Sequence, residues 1–175
     1  KMTVRLDESN TKLMTLANTD ALTHIPNRLS LQHYLEKIFR SRHDVYLFMM
    51  DLDHFKQIND TYGHVVGDGV LVHVSEVLQE QLRNTDFIAR YGGEEFVAIL
   101  LNTDHETAGK IAERILSAVR VPFTIEGHRI QMSISIGIGC RREEDESYTE
   151  CLERSDKALY AAKSQGRDRY CFYEE

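Results

Sequence analysis

The chain has 175 residues, 42% of them hydrophobic and 28% charged, with a formal net charge of −7. That is the composition of one ordinary soluble domain, long enough to bury a core. The acidic balance argues against DNA or RNA as partners, since broad nucleic-acid binding relies on Lys and Arg neutralising phosphates.

The first residue is Lys1, so the chain reads as a piece of a longer protein. Residues 2–18 form a polar helical pattern with Met2, Leu6, Leu13 and Leu16 on a loose heptad that Asn10 interrupts. It is either a plain N-terminal helix or the end of a coiled-coil linker, and residues 19–175 follow as one domain. Asp20 to Asn27 is a loop containing Pro26. Arg28 to Arg40 is amphipathic, with Leu31, Leu35, Ile38 and Phe39 at helical spacing. Val45 to Leu52, VYLFMMDL, is a continuous apolar run and predicts a buried strand. Gly67 to Arg83 is a helix with Val70, Leu71, Val74, Val77 and Leu78 on one face. Asp86–Tyr91 and Glu94–Leu101 predict strands joined by Gly92-Gly93, a hairpin whose turn positions would take positive φ. His105–Arg120 is a helix, and Val121–Glu126 with Arg129–Cys140 form a second hairpin around Gly127. Tyr148–Ser164 is the last helix and Arg169–Tyr173 a short strand. The order predicts an α/β (α+β) fold: one mixed, mostly antiparallel sheet flanked by helices. Residues 45–140 resemble a βαββαβ palm.

No apolar run approaches the roughly 20 residues that span a bilayer, and no signal peptide is visible. Cys140, Cys151 and Cys171 lack CxxC spacing and read as reduced thiols of a cytoplasmic protein. The eight histidines show no HExxH pairing, which argues against zinc. Neither GxxxxGK[ST] nor GxGxxG occurs.

Chemistry concentrates at two places. Asp51-Leu52-Asp53 ends the most apolar strand, and Glu94-Glu95 follows the glycine pair. If those strands neighbour each other, Asp51 and Glu94 face one cleft. Two carboxylates about 4 Å apart repel by roughly 4 kcal/mol at an effective dielectric near 20. Such a cluster calls for a shared proton or a hard divalent cation, Mg²⁺ or Mn²⁺. Taken singly, each motif is weak, because acids often end strands and glycine pairs often make plain hairpins. Lys56 lies close enough in sequence to reach a phosphate. Lys163 and Arg167 flank Gly166 at the last helix's end, where cations also complement the helix dipole. Asn59 and Asp68 would serve as turn and capping residues, or as guanine-selective partners.

Five blocks then carry a resemblance. DALTHIPNR (20–28), DLDHFKQINDTYGHVVGDGVL (51–71), RYGGEEF (90–96), SIGIG (135–139) and SDKALYAAKSQGRDR (155–169) look like the successive motifs of the GGDEF family. The resemblance spans about residues 19–173, and five blocks in order are far more specific than any one. It implies diguanylate cyclase activity on a palm related to adenylate cyclases and polymerases. Two GTP would condense to cyclic di-GMP and two pyrophosphates in an antiparallel homodimer. By the same resemblance, Asp51, Glu94, Glu95 and the Leu52 carbonyl would hold two divalent ions per GTP. Glu94 would also accept a proton, and Lys56 would stabilise phosphate charge. Phe55, Asn59, His64 and Asp68 would line the nucleotide site with Gly92 and Gly93, and Lys163 and Arg167 would bind terminal phosphates. An upstream sensor domain would govern activity.

Arg83-Asn-Thr-Asp86 matches the family's RxxD product-inhibition motif at its usual offset. Otherwise it is a helix-end ion pair worth about 0.2–0.5 kcal/mol. Arg114 lies where some members place a second inhibitory arginine, although taken alone it reads as an ordinary surface residue. Two departures stand out. His24 replaces a family glycine, at about 1 kcal/mol of strain if the position needs positive φ. Asp168 replaces a frequent Asn beside Arg167, and is expected to weaken phosphate attraction slightly. The competing reading is a silent module that binds GTP or cyclic di-GMP; another is a cyclase for a different nucleotide, against which Asp68 argues.

Overall fold

Strand β1 (Val45–Leu52) is the centre of the molecule, paired antiparallel with β3 (Glu95–Leu101) and β6 (Ile134–Cys140). In this computed structural model, which describes residues 17–41, 43–145 and 147–174, five strands run in the order β2-β3-β1-β6-β7. Strand β2 (Phe87–Arg90) is antiparallel to β3, and only β7 (Tyr170–Phe172) runs parallel to its neighbour β6. The linker helix expected at residues 2–18 lies outside the described residues over positions 2–16.

Both sheet faces are covered, which explains why β1 is a continuous apolar run up to Asp51 instead of alternating. Phe48, Met50 and Leu52 join a cluster with Val70, Val74 and Leu78 of α3 (His64–Gln81) and Ile111, Ile115 and Val119 of α4 (His105–Arg120). Val45, Leu47 and Met49 join the opposite cluster with Leu31, Leu35 and Ile38 of α1 (Arg28–Phe39) and Cys151 and Leu159 of α5 (Tyr148–Ser164). Side chains that alternate along β1 thus reach different helices. Helix α5 lies directly on β6, and Gly137 permits it: a Cβ there would sit 2.1 Å from the Leu159 nitrogen and 2.2 Å from the Ser155 carbonyl oxygen.

Helix starts follow local chemistry. Asn27 accepts from the Ser30 N–H, Asp104 from the Thr107 N–H, and Ser147 with Glu150 forms a reciprocal capping box. These place α1, α4 and α5 where the periodicity predicts them.

Three local expectations are corrected. A helix not anticipated, α2 (Phe55–Tyr62), precedes α3, which begins at His64 instead of Gly67. Gly63, at φ 87°, ends one and starts the other. The Gly92-Gly93 link is not a two-residue turn with positive φ: neither glycine is left-handed, and the Tyr91 and Gly92 N–H groups both donate to the Glu95 carbonyl (2.8 and 3.3 Å). Glu94 therefore belongs to the connection. Residues 129–140 are not one strand. Strand β4 (Phe123–Ile125) pairs with β5 (His128–Ile130) in a separate ribbon, turning through left-handed Glu126 and Gly127. The chain then crosses to the main sheet, where the Ser133 carbonyl accepts from the Asp53 N–H at 3.0 Å.

Candidate active site

The acids of β1 and β3 meet as neighbours. Asp51 pairs in register with Glu95, so their side chains leave the same sheet face, the face covered by α5. The sequence predicts Asp51 and Glu94 facing one cleft, and the residue in register with Asp51 is Glu95. Glu94 instead sits one residue into the turn, where its carbonyl accepts the Leu52 N–H at 3.2 Å. Burial pushes the Glu94 carboxyl above its ordinary range, and the charges of Asp51 and Glu95 push it further, partly offset by Lys163.

Lys163 projects from the last turn of α5, and its ammonium donates to the Asp51 carboxylate at 2.5 Å. This cation matches part of the negative charge at the cleft. Among the described residues no three acids, histidines or cysteines converge into a ready-made cage for an ion. The donor set nevertheless suits a hard divalent cation: three carboxylates at adjoining strand ends, one of them, Glu94, disfavoured as an anion by burial and then by its acidic neighbours.

Sequence reasoning missed Arg90, which straps the turn. Its guanidinium donates to the Gly93 carbonyl (2.8 and 3.1 Å), to the Gly92 carbonyl (3.2 Å) and to both Asp20 oxygens (3.0 and 3.1 Å). Asp20 also accepts from the Thr23 N–H and hydroxyl. Burial alone would raise the Asp20 carboxyl, but Thr23 and Arg90 outweigh it and hold the group below its usual value. The opening loop is thereby fixed to the acidic turn. His24 does take the left-handed conformation, φ 63°, that a glycine suits better. The signal for Arg90 was a cation two residues before a glycine pair, whose acid partner, Asp20, lies seventy residues away in sequence.

Helices α2 and α3 bring together the residues expected at a base. Gly67 faces Asn59 so closely that a Cβ would lie 1.8 Å from the Asn59 Oδ1. Asn59 therefore reaches α3 at Gly67, the residue before the exposed Asp68. Phe55 is buried beneath them, while Lys56 and His64 are exposed at the two helix starts.

Past α5 the backbone runs through three left-handed residues, Gly166, Arg167 and Asp168 (φ 121°, 65° and 49°). Asp168 does not stand as a free charge beside Arg167, as its sequence position suggests. Arg120 donates to its carboxylate at 2.8 Å and to its carbonyl at 3.2 Å, so the anion is already matched.

Arg83 and Asp86 lie apart from this cleft, between α3 and β2. Arg83 donates bidentately to Asp86 (2.8 to 3.2 Å) and to the Thr103 hydroxyl at 2.6 Å. The Asp86 hydrogen bond holds the guanidinium even more firmly protonated, against a small opposing effect of burial. Arg114 donates to the Gln81 carbonyl at the end of α3, two residues before Arg83. The ion pair expected from the four-residue spacing forms, and Arg114 stands near it.

Residues 17–169 match the family described as diguanylate cyclase, GGDEF domain. The chain is 44% identical over 158 residues to diguanylate cyclase DgcP of Pseudomonas aeruginosa, covering 87% of this chain and 23% of that protein. It is 39% identical over 173 residues to diguanylate cyclase A of Treponema denticola, covering 92% and 46%. It superposes on the coiled coil and GGDEF domain of DgcB from Caulobacter crescentus, crystallised with c-di-GMP, with a TM-score of 0.92, 30% identity, and coverage of 98% and 93%. The chain spans less than half the length of these two curated relatives. A family match over almost its whole length, a mostly antiparallel palm sheet and an intact acidic turn agree: the chain belongs to the GGDEF diguanylate cyclase domain family.

Proposed function

We propose that this chain is the catalytic part of a diguanylate cyclase, converting two GTP into cyclic di-GMP and two pyrophosphates. The observation that carries the reading is the register of β1 with β3, which sets Asp51 beside Glu95 with Glu94 at the adjoining turn and a cation, Lys163, against them. Asp51, Glu94, Glu95 and the Leu52 carbonyl are the groups that would hold Mg²⁺ or Mn²⁺, two per GTP. When bound, the ions would neutralise phosphate charge and stabilise attacking and leaving oxygens.

The chain's own residues divide the remaining work. Asp68 accepts from the guanine ring N–H and amino group, and Asn59 completes the edge. Gly92 and Gly93 let the backbone approach the nucleotide; nothing lies within 4 Å of where a Gly93 Cβ would be. Lys163 and Arg167 take the terminal phosphates and Lys56 the developing charge. Glu94, at the turn adjoining Asp51, is the base for the 3′-hydroxyl proton. The freed oxygen attacks the α-phosphorus of a GTP held by a second, antiparallel chain, and pyrophosphate leaves. A second such step closes the ring. Catalysis rests on positioning and charge stabilisation, and one site needs two chains.

Arg83 and Asp86, with Arg114 close by, would bind product and restrain the domains. The domain works on the cytoplasmic side, under an upstream sensor. No helix among the described residues is long and apolar enough to cross a membrane. The test is incubation of the purified chain with GTP and Mg²⁺ and identification of the product. Cyclic di-GMP that disappears with Glu94→Gln supports the proposal. Tight GTP binding without turnover, under conditions that allow dimers, refutes it in favour of a silent module. Arg83→Ala should relieve product inhibition, and inhibition unchanged by it would dismiss that site.

A further inference from the structure

The second acid of the Asp-Leu-Asp run does not join the first. Asp53 is only 5% exposed, and both its carboxylate oxygens are filled by neutral donors. Its Oδ1 accepts from the Ser135 hydroxyl at 2.7 Å, and its Oδ2 from the Ser133 hydroxyl at 2.6 Å and the Asp168 N–H at 3.0 Å. Its own N–H donates to the Ser133 carbonyl at 3.0 Å. A carboxylate so engaged is committed to the protein's interior.

The bond to Asp168 reaches into an unusual segment. Arg167 and Asp168 are non-glycine residues held left-handed in succession after Gly166, a conformation that persists only where the surroundings impose it. The ties that impose it are visible. The Arg167 N–H donates to the Ala162 carbonyl at 3.0 Å, and the Ile136 N–H to the Arg169 carbonyl at 2.9 Å. Arg120 holds the Asp168 carboxylate and carbonyl, and Asp53 holds its N–H. Arg167 stands between pinned neighbours, its own guanidinium making no hydrogen bond or ion pair to the described residues. Whatever fixes Asp168 fixes the direction in which the Arg167 side chain leaves the backbone.

We propose that Asp53 is a positioning residue for the phosphate-binding end of the site: it locks the 166–168 turn through Asp168 and so aims Arg167. The proposal rests on the reading of Arg167 as a phosphate contact. It separates the two acids of the run: Asp51 faces the cleft, whereas Asp53 is an anchor that needs acceptor atoms but not its charge.

The test uses Asp53→Asn and Asp53→Ala. An asparagine can still accept from Ser133 and Asp168, and can donate to a Ser135 hydroxyl that rotates to receive it. Hydrogen exchange of the Asp168 amide is measured by NMR, with affinities for a non-reactive α,β-methylene GTP analogue and for GMP in Mg²⁺. With Asn, the Asp168 amide should stay protected and both affinities should stay within about threefold of the wild type. With Ala, the amide should exchange freely and the triphosphate analogue should bind about tenfold more weakly, the scale of removing one charge-assisted hydrogen bond, while GMP binding is unchanged. An Asn variant as impaired as Ala would show that the charge matters, as for a metal ligand, and overturn the proposal. Equal weakening for both ligands in Ala would reduce Asp53 to general support and also overturn it. If Ala does not fold, the Asn variant and the wild-type amide decide: an unprotected Asp168 amide refutes the anchor. Failure of the wild type to bind the triphosphate analogue would instead refute the nucleotide-site reading, with the amide still judging the anchor.

Discussion

Replacing Gly67 by alanine separates the fold from the proposed guanine site. A Cβ at Gly67 would lie 1.8 Å from the Asn59 Oδ1, 2.9 Å from its Cγ and 3.5 Å from the Phe55 Cζ. The obstructing atoms are the tip of a side chain, so Asn59 swings aside while the helices stay in place. Leaving its preferred rotamer costs about 0.5–1.5 kcal/mol. Alanine in the helix recovers about 1 kcal/mol over glycine. The two nearly cancel, so stability should change by less than about 1 kcal/mol. Asn59, however, no longer stands against α3 at Gly67. Losing one hydrogen bond to the base should raise the KM for GTP about tenfold. Thermal melting and initial-rate kinetics on the same preparation check both halves. An unchanged KM would refute the placement of Asn59, and a loss of more than about 3 kcal/mol of stability would show that the crowding is not confined to a side-chain tip.

Other perturbations test other links. His24→Gly relieves a left-handed residue at φ 63° and should stabilise the chain by about 1 kcal/mol in chemical denaturation; no gain would mean the loop carries no strain. Arg154 and Asp145 form a largely buried ion pair, with Arg154 also donating to the Cys140 carbonyl. Burial alone would raise the Asp145 carboxyl, but Arg154 and the Arg142 N–H hold it below its ordinary value. Its contribution is therefore present above the unfolded-state value near 4 and lost as pH falls through the lower folded value. Asp145→Ala should cost about 3 kcal/mol at pH 7, and the difference should shrink in acid; a pH-independent cost would contradict the assignment. Glu94 has the opposite sign, its carboxyl being raised by burial and by Asp51 and Glu95. Glu94→Gln should melt at a higher temperature than wild type at pH 7 and equally in acid, where both forms are neutral; a lower melting temperature at pH 7 would show that Glu94 is not repelled.

Much of this was legible in the sequence because separate signals agreed. Tyr148–Ser164 carried both a periodic face and a Ser147/Glu150 capping box, and its bounds match. Val45–Met50 was apolar throughout because helices cover both sheet faces. Helix α2 was hidden by its brevity and polarity, although Phe55, Ile58 and Tyr62 repeat at helical spacing and Gly63 supplies a break. The glycine pair misled because a turn's φ angles depend on how many residues it spans, and the Tyr91 and Gly92 hydrogen bonds to Glu95 lengthen this one. Arg129–Cys140 looked continuous because nothing in its residue types marks the crossing between two sheets at Gln131–Ser133. The acids at Asp51 and Glu94-Glu95 were recognisable by type. Which of them lie opposite each other, and that Lys163 and Arg90 reach the same turn from distant segments, follows from register and tertiary packing alone.

The acids at the ends of β1 and β3 are expected to take up divalent ions together with nucleotide, displacing Lys163 from Asp51. The measurement is Mn²⁺ bound per chain, by electron paramagnetic resonance, with and without a non-reactive GTP analogue, in the wild type, Asp51→Asn and Lys163→Met. The wild type should bind Mn²⁺ weakly alone and about two ions with the analogue. Asp51→Asn should lose the nucleotide-dependent ions. Lys163→Met, with the competing ammonium gone, should bind Mn²⁺ more tightly without nucleotide. Uptake that is indifferent to the analogue and to Asp51 would contradict the account.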